Sequence, residues 1–385
     1  MLFRSPATPL GRAAQTEAFV FGLQQTSAAG SAGTRSNLAC VNAGGGAGGA
    51  VRLEATYYNG ETGAAHASKD LFDLAPFQWE QKPTPLATRG LRYGYAVVWR
   101  TSGSDQFVCY AVLNDNLNGD GAFVPMVPND TPSRTSAALV PVVLEAAGYT
   151  SEMTFANRTN RDISGLFALV PRTDPVPDWG YFDLPARSQF TVPNVVAELR
   201  RIGFTAPPGT VASVFAQFLD GQFREDQSDT QAPIPTSDGF LGVRTTTARA
   251  GGLLGLAYGY TPIGEAADTE AWVYGLQQTG TRGQEGGTRA NLAVGHALGG
   301  QVEPLQLEVT YFGPNGNELG KEPQCSPCTL APGQFLQFDS ALARYGVPHG
   351  YARIRRLAGT DQFLAYGVLN DQGNDDGSYV PMIVP

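Results

Sequence analysis

The sequence has few of the residues on which several classes of function depend. Only three of its 26 cationic side chains are lysines, and three histidines and 35 acidic residues leave a net charge of −9. A nucleic-acid-binding protein needs a basic face, so this charge argues against that class. No apolar run reaches the ~18 residues of a transmembrane helix. No Ser/His/Asp arrangement, nucleophile elbow or metal-type His pair is visible, so we do not expect an enzyme.

A long internal repeat is the main positive feature. Residues 17–26 read Glu-Ala-Phe-Val-Phe-Gly-Leu-Gln-Gln-Thr, and residues 270–279 read Glu-Ala-Trp-Val-Tyr-Gly-Leu-Gln-Gln-Thr. Further phrases return in the same order, at 35–39 and 289–293, 104–107 and 360–363, and 112–115 and 368–371. The offset changes only from 253 to 256 residues, which places the insertions in loops. The repeat indicates that one structural module is used more than once.

Each copy has the pattern of a series of short strands. The chain holds 47 glycines and 27 prolines, and turn residues separate its β-branched and aromatic runs. We predict an all-β protein of three tandem antiparallel β-sandwich (immunoglobulin-like) modules, with short helical turns in the connections. The middle module is diverged and carries a helix over 193–203. The predicted divisions are an orphan terminal strand or arm (1–16), module 1 (17–128), module 2 (137–262) and module 3 (270–385).

The core of each sandwich should lie between its two sheets. In modules 1 and 3 we expect Leu38, Phe107, Leu292 and Phe363 at that position, because they fall on repeated strand phrases.

Four cysteines form two candidate pairs. Cys40 and Cys109 lie in strand-like runs whose counterparts are Val294 and Ala365, a pattern that favours a disulfide between facing strands. The alternative is two unrelated buried thiols. Cys325 and Cys328 are close enough for a local loop-closing disulfide, and too few other ligands are near for a structural zinc site. Two disulfides would indicate an oxidising compartment, so we expect an extracellular or cell-surface protein.

Two acidic loops are the candidates for a metal site. They span 114–121 and 370–377, and their calcium ligands would be Asp115, Asp120, Asp371, Asp375 and Asp376. The bidentate Glu of a calcium loop is missing, and Asn, Asp and Gly are also the usual residues of hairpin turns. The preferred interpretation is therefore a pair of plain turns without a cofactor.

Two further sets of residues have a functional and a structural interpretation. A polar ligand site could be formed once in each repeat from an Arg, an Asn and an Asp. These residues are Arg35, Asn37 and Asp105 in module 1, and Arg289, Asn291 and Asp361 in module 3. Such arginines more often fix sheet edges or loops, and we prefer that interpretation.

The four tryptophans are scattered, which favours core or rim packing over a sugar-binding platform.

The repeated phrases resemble the tandem β-sandwich repeat modules of uncharacterised secreted bacterial proteins. The phrases that carry the resemblance lie at 271–278, 289–293, 361–371 and 376–382, and residues 242–247 and 255–259 of the middle module are similar to the alternating module of those arrays. The resemblance covers nearly the whole chain. It implies an extracellular β-sandwich array and no catalytic residues.

The first residues match the end of module 2. Residues 2–9 align with 255–262, which immediately precede module 3. An unpaired strand exposes backbone groups and apolar side chains, here Leu2 and Phe3. We expect residues 1–12 to add to the sheet of another copy, near its module 3, which would produce a head-to-tail fibre. The alternatives are a disordered tail or a strand folded back on module 1.

Three functions follow from these observations. The leading hypothesis is a non-enzymatic extracellular structural protein, a tandem β-sandwich array that acts in surface assembly or as a self-assembling filament subunit. The alternative is a carbohydrate- or cell-binding adhesion module, which aromatic side chains clustered on one exposed face would favour. The third is a hydrolase, which a deep cleft with paired carboxylates would favour.

Overall fold

The protein is almost entirely β-structure, as the sequence predicts. A computed structural model describes residues 13–28, 31–44, 48–129, 136–173, 176–221, 234–249, 252–280, 286–297, 303–371 and 377–385. Residues 1–12, with Leu2 and Phe3, and residues 372–376, with Asp375 and Asp376, lie outside this range.

Module 1 is a sandwich of two antiparallel sheets. Its strands are β1 (Glu17–Gln24), β2 (Thr34–Asn42), β3 (Val51–Asn59), β4 (Ala65–Leu74), β5 (Trp79–Lys82), β6 (Tyr93–Ser102), β7 (Phe107–Asp115), β8 (Gly121–Pro125) and β9 (Val127–Pro128). One sheet has the order β4-β3-β6-β1-β9, and the other has the order β5-β2-β7-β8. A short 3₁₀ helix, Ala87–Arg89, leads into β6.

Module 2 has the same two layers, joined through its first two strands into one nine-stranded sheet, and adds an α-helix. Its elements are β10 (Ala137–Ala146), β11 (Tyr149–Asn157), β12 (Ile163–Pro171), β13 (Asp178–Leu184), β14 (Gln189–Val192), α1 (Val195–Arg201), β15 (Val211–Asp220), β16 (Gly239–Arg249), β17 (Gly252–Gly259) and β18 (Thr261–Pro262). The predicted helix is present as α1. The side chain of Asn194 caps it by accepting a hydrogen bond from Ala197 N at 3.0 Å. Its buried residues Val195, Val196 and Leu199 belong to the module core.

Module 3 has the strand pattern of module 1. Its strands are β19 (Glu270–Gln277), β20 (Thr288–His296), β21 (Leu305–Phe312), β22 (Glu318–Lys321), β23 (Cys328–Leu330), β24 (Phe335–Phe338), β25 (His349–Ala358), β26 (Phe363–Asp371) and β27 (Gly377–Pro381). Sheets of the order β19-β25-β21-β22 and β24-β20-β26-β27 face each other. Short 3₁₀ helices lie at Ile263–Glu265, before the module, and at Ala343–Tyr345.

Three hydrophobic cores lie between the paired sheets. Their buried residues fall at positions 14–126, 140–258 and 267–369, and only Ala14 and Ala267 lie before the predicted starts of modules 1 and 3. Leu38, Phe107, Leu292 and Phe363 are all fully buried in these cores, as expected. Burying such side chains between two sheets is the main source of stability for a module of this type.

The same irregularity recurs in the first strand of modules 1 and 3. Register is lost between Val20 and Leu23 in β1, and between Val273 and Leu276 in β19. The residues at these bulges are Gly22 (φ 76°) and Gly275 (φ 77°), whose left-handed conformation favours glycine. A bulge leaves backbone groups out of the ladder, and the N–H of Gly22 donates to the side chain of Gln189 in module 2.

Three runs of strand-type residues are interrupted. The runs at 70–80 and 179–191 each contain a turn, and the run at 121–128 is divided at Met126 into β8 and β9. Phe77 and Arg187 occupy the two turns with φ of 61° and 56°, a backbone conformation that ends a strand. Neither positive-φ position is a glycine, so the sequence does not signal these two turns.

Candidate functional site

Both predicted disulfides are present. Cys40 and Cys109 are directly opposite each other on β2 and β7, and their sulfur atoms are bonded. Val294 and Ala365 occupy the same opposed positions on β20 and β26. Cys325 and Cys328 close a local loop before β23. The prediction from the substituted pair in module 3 is therefore confirmed.

The acidic loop of module 1 holds module 2 in place. Asp115 Oδ2 accepts a hydrogen bond from Leu253 N at 3.1 Å, and Asp120 Oδ2 accepts one from Gly255 N at 2.7 Å. Asp115 Oδ1 accepts from Leu117 N at 2.9 Å within its own loop. These carboxylates are buried and bind backbone donors of β17, so the loop acts as an intermodule contact.

Of the remaining calcium candidates, Asp375 and Asp376 lie outside the described residues, and Asp371 belongs to another module. Asp371 is exposed at the end of β26 in module 3. Among the described residues, no group of three or more His, Cys, Asp or Glu side chains is placed to hold a metal ion.

We predict that chelation leaves the protein's stability unchanged. Calcium present at 100 times its dissociation constant would contribute about 2.7 kcal/mol to the free energy of unfolding. The melting temperature in EDTA should equal that in calcium, because backbone donors already occupy oxygens of Asp115 and Asp120. A fall of several degrees on chelation would contradict this result.

The candidate polar ligand site is not assembled in module 1, whereas in module 3 Arg289 Nη1 donates to Asn291 Oδ1 at 2.8 Å. Arg35 is level with Asn114 at one end of the β2–β7 ladder, whereas Asp105 precedes the other end, where Asn42 pairs with Phe107. Arg35 Nη1 donates to Asn116 Oδ1 at 2.8 Å, which fixes the acidic loop. The repeated asparagines also have a structural role, since the side chains of Asn37 and Asn291 accept from Thr84 N and Ser340 N, both at 3.1 Å.

An aromatic layer joins module 1 to module 2. Phe19, Phe21 and Tyr95 lie on the side of β1 and β6 that faces away from the module 1 core, and they are buried. Phe240 of module 2 packs on this layer, with its ring 4.6 Å from that of Phe21. Tyr260 adds an edge contact to Phe240 at 5.8 Å. We call this side of β1, β3 and β6 the outer face.

Hydrogen bonds complete the same junction. The hydroxyl of Tyr95 donates to the carbonyl oxygen of Arg187 at 3.1 Å. The side chain of Gln189 accepts from Gly22 N at 2.8 Å and donates to Gly94 O at 2.9 Å. The guanidinium of Arg187 lies 5.3 Å from the ring of Tyr58. We call the module 2 surface formed by Ala156, Arg187, Gln189 and Phe240 the receiving surface.

The junction between modules 2 and 3 is built in the same way. Leu139 and Phe215, on the outer side of β10 and β15, pack against Leu364 of module 3. The hydroxyl of Ser213 donates to the carbonyl oxygen of Gly333 at 2.6 Å. Val170 packs against Gly333, where a Cβ atom would lie 2.9 Å from Val170 Cγ1.

Strand registers show that the two junctions are equivalent. On the outer faces, Tyr95 pairs with Tyr58, and Ser213 pairs with Val170. The two acceptor residues are also equivalent. Arg187 lies two residues before β14 and has a φ of 56°, and Gly333 lies two residues before β24 and has a φ of 71°. On the receiving surfaces, Ala156 is opposite Phe240 in module 2, and Gly295 is opposite Leu364 at the aligned positions of module 3. Modules 1 and 2 therefore each present their outer face to the receiving surface of the module that follows.

The outer face of module 3 is a partly exposed aromatic cluster, in which Tyr274 is exposed and the other members are half-buried. The residues that correspond to Phe19, Phe21, Tyr58, Tyr95 and Val97 are Trp272, Tyr274, Phe312, Tyr351 and Arg353. Tyr351 lies 5.2 Å from Tyr274 and 5.1 Å from Phe312, measured between ring centroids. The guanidinium of Arg353 lies 5.4 Å from the ring of Phe312. Tyr274 is 45% exposed, whereas its counterpart Phe21 is 1% exposed.

The tryptophans lie at the surface, so the core part of their prediction is wrong. Trp79, Trp99 and Trp179 are 43–51% exposed, and Trp272 is half-buried in the aromatic cluster. Alternation along a strand assigns side chains to two faces but does not tell whether a neighbouring module covers the outer one.

A cavity of about 40 Å³ lies between modules 1 and 2. Its lining is mostly apolar, with Glu152 and the buried Arg244 as its charged groups. Arg244 Nη1 donates to Thr34 Oγ1 at 3.2 Å, while Nε and Nη2 have no hydrogen-bond partner. Burial lowers the pKa of Arg244, and the carboxylates of Glu152, Asp120 and Asp115 oppose that effect. The cavity is large enough for a few water molecules. Among the described residues, Glu152 is the one carboxylate in its lining, so the cavity lacks the paired carboxylates that would favour the hydrolase hypothesis.

Comparisons with known proteins give no family for this chain. No family model matches the sequence, and no curated protein matches it. Among solved structures, a protein described as a beta-galactosidase from Bacteroides fragilis is 11% identical, with a TM-score of 0.14. The match covers 65% of this chain and 33% of that protein, so the chain spans about a third of its length. At that TM-score the likeness carries no argument about fold or activity.

The described part of the chain contains no helix long and apolar enough to cross a membrane.

Proposed function

We propose that the protein is a non-enzymatic extracellular structural protein, a subunit that self-assembles head to tail. The observation that carries this proposal is the repeated junction, in which Tyr95 and Ser213 make the same hydrogen bond to the next module. Such an interface joins two different surfaces, so it does not close on itself and can be continued by further copies. The two disulfides support an oxidising compartment outside the cell.

The joined modules also suit a structural role. Asp115 and Asp120 bind the backbone of β17, and Gln189 binds two backbone groups of module 1. These buried contacts restrict movement between modules, because each opened contact would leave an unpaired polar group. A stiff array transmits force along its length, which a surface filament requires.

We expect the native protein to form linear assemblies whose mean size rises with concentration. Sedimentation velocity over a wide concentration range, together with negative-stain images, would measure this. A protein that remains monomeric up to its solubility limit would contradict the proposed function.

A carbohydrate-binding role is the second candidate, and the aromatic cluster of module 3 favours it. Trp272, Tyr274 and Tyr351 share one face, and aromatic faces of this kind also stack on sugar rings. Pull-down with insoluble cellulose and peptidoglycan tests it, and loss of binding in Tyr274→Ser would support it.

A further inference from the structure

Module 1 has an exposed receiving surface that complements the exposed outer face of module 3. The residues at its aligned positions are Val41, Phe77, Trp79 and Val108. Phe77 is 70% exposed and Trp79 is 51% exposed, whereas their counterparts in modules 2 and 3 lie in the two junctions. Large apolar side chains grouped in this way usually mark a contact surface.

Phe77 is held in the conformation that the junction uses. Its φ is 61°, close to the 56° of Arg187 and the 71° of Gly333. This region is unusual for a bulky residue other than glycine. In both junctions the residue at this position supplies the carbonyl oxygen that accepts the hydroxyl hydrogen bond. Phe77 therefore presents an equivalent carbonyl group, with a large apolar side chain beside it.

We infer that the outer face of module 3 binds the receiving surface of module 1 in a second copy of this chain. The inference rests on the proposed function and identifies its interface. By register, the hydroxyl of Tyr351 is the donor to the Phe77 carbonyl oxygen, as Tyr95 is to Arg187. The ring of Phe77 then contacts Phe312, as the guanidinium of Arg187 contacts Tyr58. Both contributing surfaces are rich in aromatic side chains, which are frequent at the centre of protein interfaces.

The occupant follows from the two junctions already present in the chain. In each junction an outer face packs on a receiving surface. In the described structure, the receiving surface of module 1 and the outer face of module 3 are not covered by another module. An isologous contact between two outer faces would lack the carbonyl acceptor that Arg187 and Gly333 supply. The same pairing therefore favours a head-to-tail order over a two-fold dimer.

The test uses two full-length variants that each disable one surface. Phe77→Asp places a charge on the receiving surface, and Tyr274→Asp places one on the outer face of module 3. Both side chains are exposed, so both variants should keep the circular dichroism spectrum and melting temperature of the native protein. Tyr181→Asp is the matched control, because Tyr181 is an aromatic residue of β13 that is 50% exposed.

Each variant alone should be monomeric, with the association constant reduced about thirtyfold or more. An equimolar mixture should form a dimer and stop there, because it retains one intact interface between an unmodified outer face and an unmodified receiving surface. The Tyr181→Asp control should assemble like the native protein. Tyr351→Phe, which removes only the hydroxyl, should weaken association up to about tenfold.

The outcomes separate this interface from the proposed function. If the native protein assembles and both aspartate variants assemble equally well, the interface lies elsewhere and this inference is wrong, while the proposed function stands. A mixture that remains monomeric would also overturn the inference. If the native protein itself is monomeric at every concentration, the proposed function fails together with its interface. If the protein is monomeric and binds cellulose or peptidoglycan, and if this binding is lost when Tyr274 is replaced, the aromatic cluster is a saccharide-binding site and the inference is wrong.

Discussion

Replacing Gln189 with alanine should loosen module 2 from module 1 at a cost of about 2–4 kcal/mol. Gln189 is 1% exposed, and its side chain amide binds Gly22 N and Gly94 O. Gly22 lies at the bulge of β1, where the register with β6 is lost. Without Gln189, a buried donor and a buried acceptor lose their partner, and the Gly22 amide has no place in the strand ladder to replace it.

Amide hydrogen exchange provides the measurement. In the Gln189→Ala variant the Gly22 amide should exchange much faster, while amides in the centre of β7 should keep their protection. Gln306→Ala is the control, because Gln306 is exposed on β21. Unchanged protection of Gly22 in the Gln189 variant would contradict the assigned role.

The sequence predicts features that depend on side chains repeated at fixed spacing. The β-sandwich fold, the buried positions of Leu38 and Phe363, and the Asn194 cap follow from alternation, the repeat and local capping rules. The Cys40–Cys109 disulfide follows because module 3 has Val294 and Ala365 in its place. These features need only the pairing of strands within one module.

The junctions could not be predicted, because their repeated hydrogen bond uses a backbone acceptor. Any residue supplies a carbonyl group, so Arg187, Gly333 and Phe77 share no side-chain signature. Gln189 is equally hidden, since Trp79 and Phe335 occupy its aligned position. A sequence signal did exist in the acidic loop, but it indicated a turn or a calcium site. Its contact with β17 depends on how two modules are placed, which repeats within modules do not encode.

Replacing Cys40 with valine and Cys109 with alanine should reduce the stability of module 1 by about 4 kcal/mol. The two cysteines are 69 residues apart, so their bond restricts a long loop of the unfolded chain. Valine and alanine are the residues of module 3 at the same opposed positions, where Val294 is fully buried and Ala365 is 2% exposed. The substitution therefore removes the cross-link and retains side chains that fit between β-sheets of this type.

A second variant, Cys325→Ala with Cys328→Ala, separates the effect of loop length from the general effect of losing a disulfide. These cysteines are three residues apart, and closing so short a loop should contribute only about 2 kcal/mol to module 3. Hydrogen exchange in urea resolves the modules, which a single global transition would combine. The core amides of β7 should lose more protection in the first variant than those of β26 lose in the second. Equal losses, or a native protein whose β7 amides are insensitive to reductant, would show that the Cys40–Cys109 bond does not stabilise module 1 through its long loop.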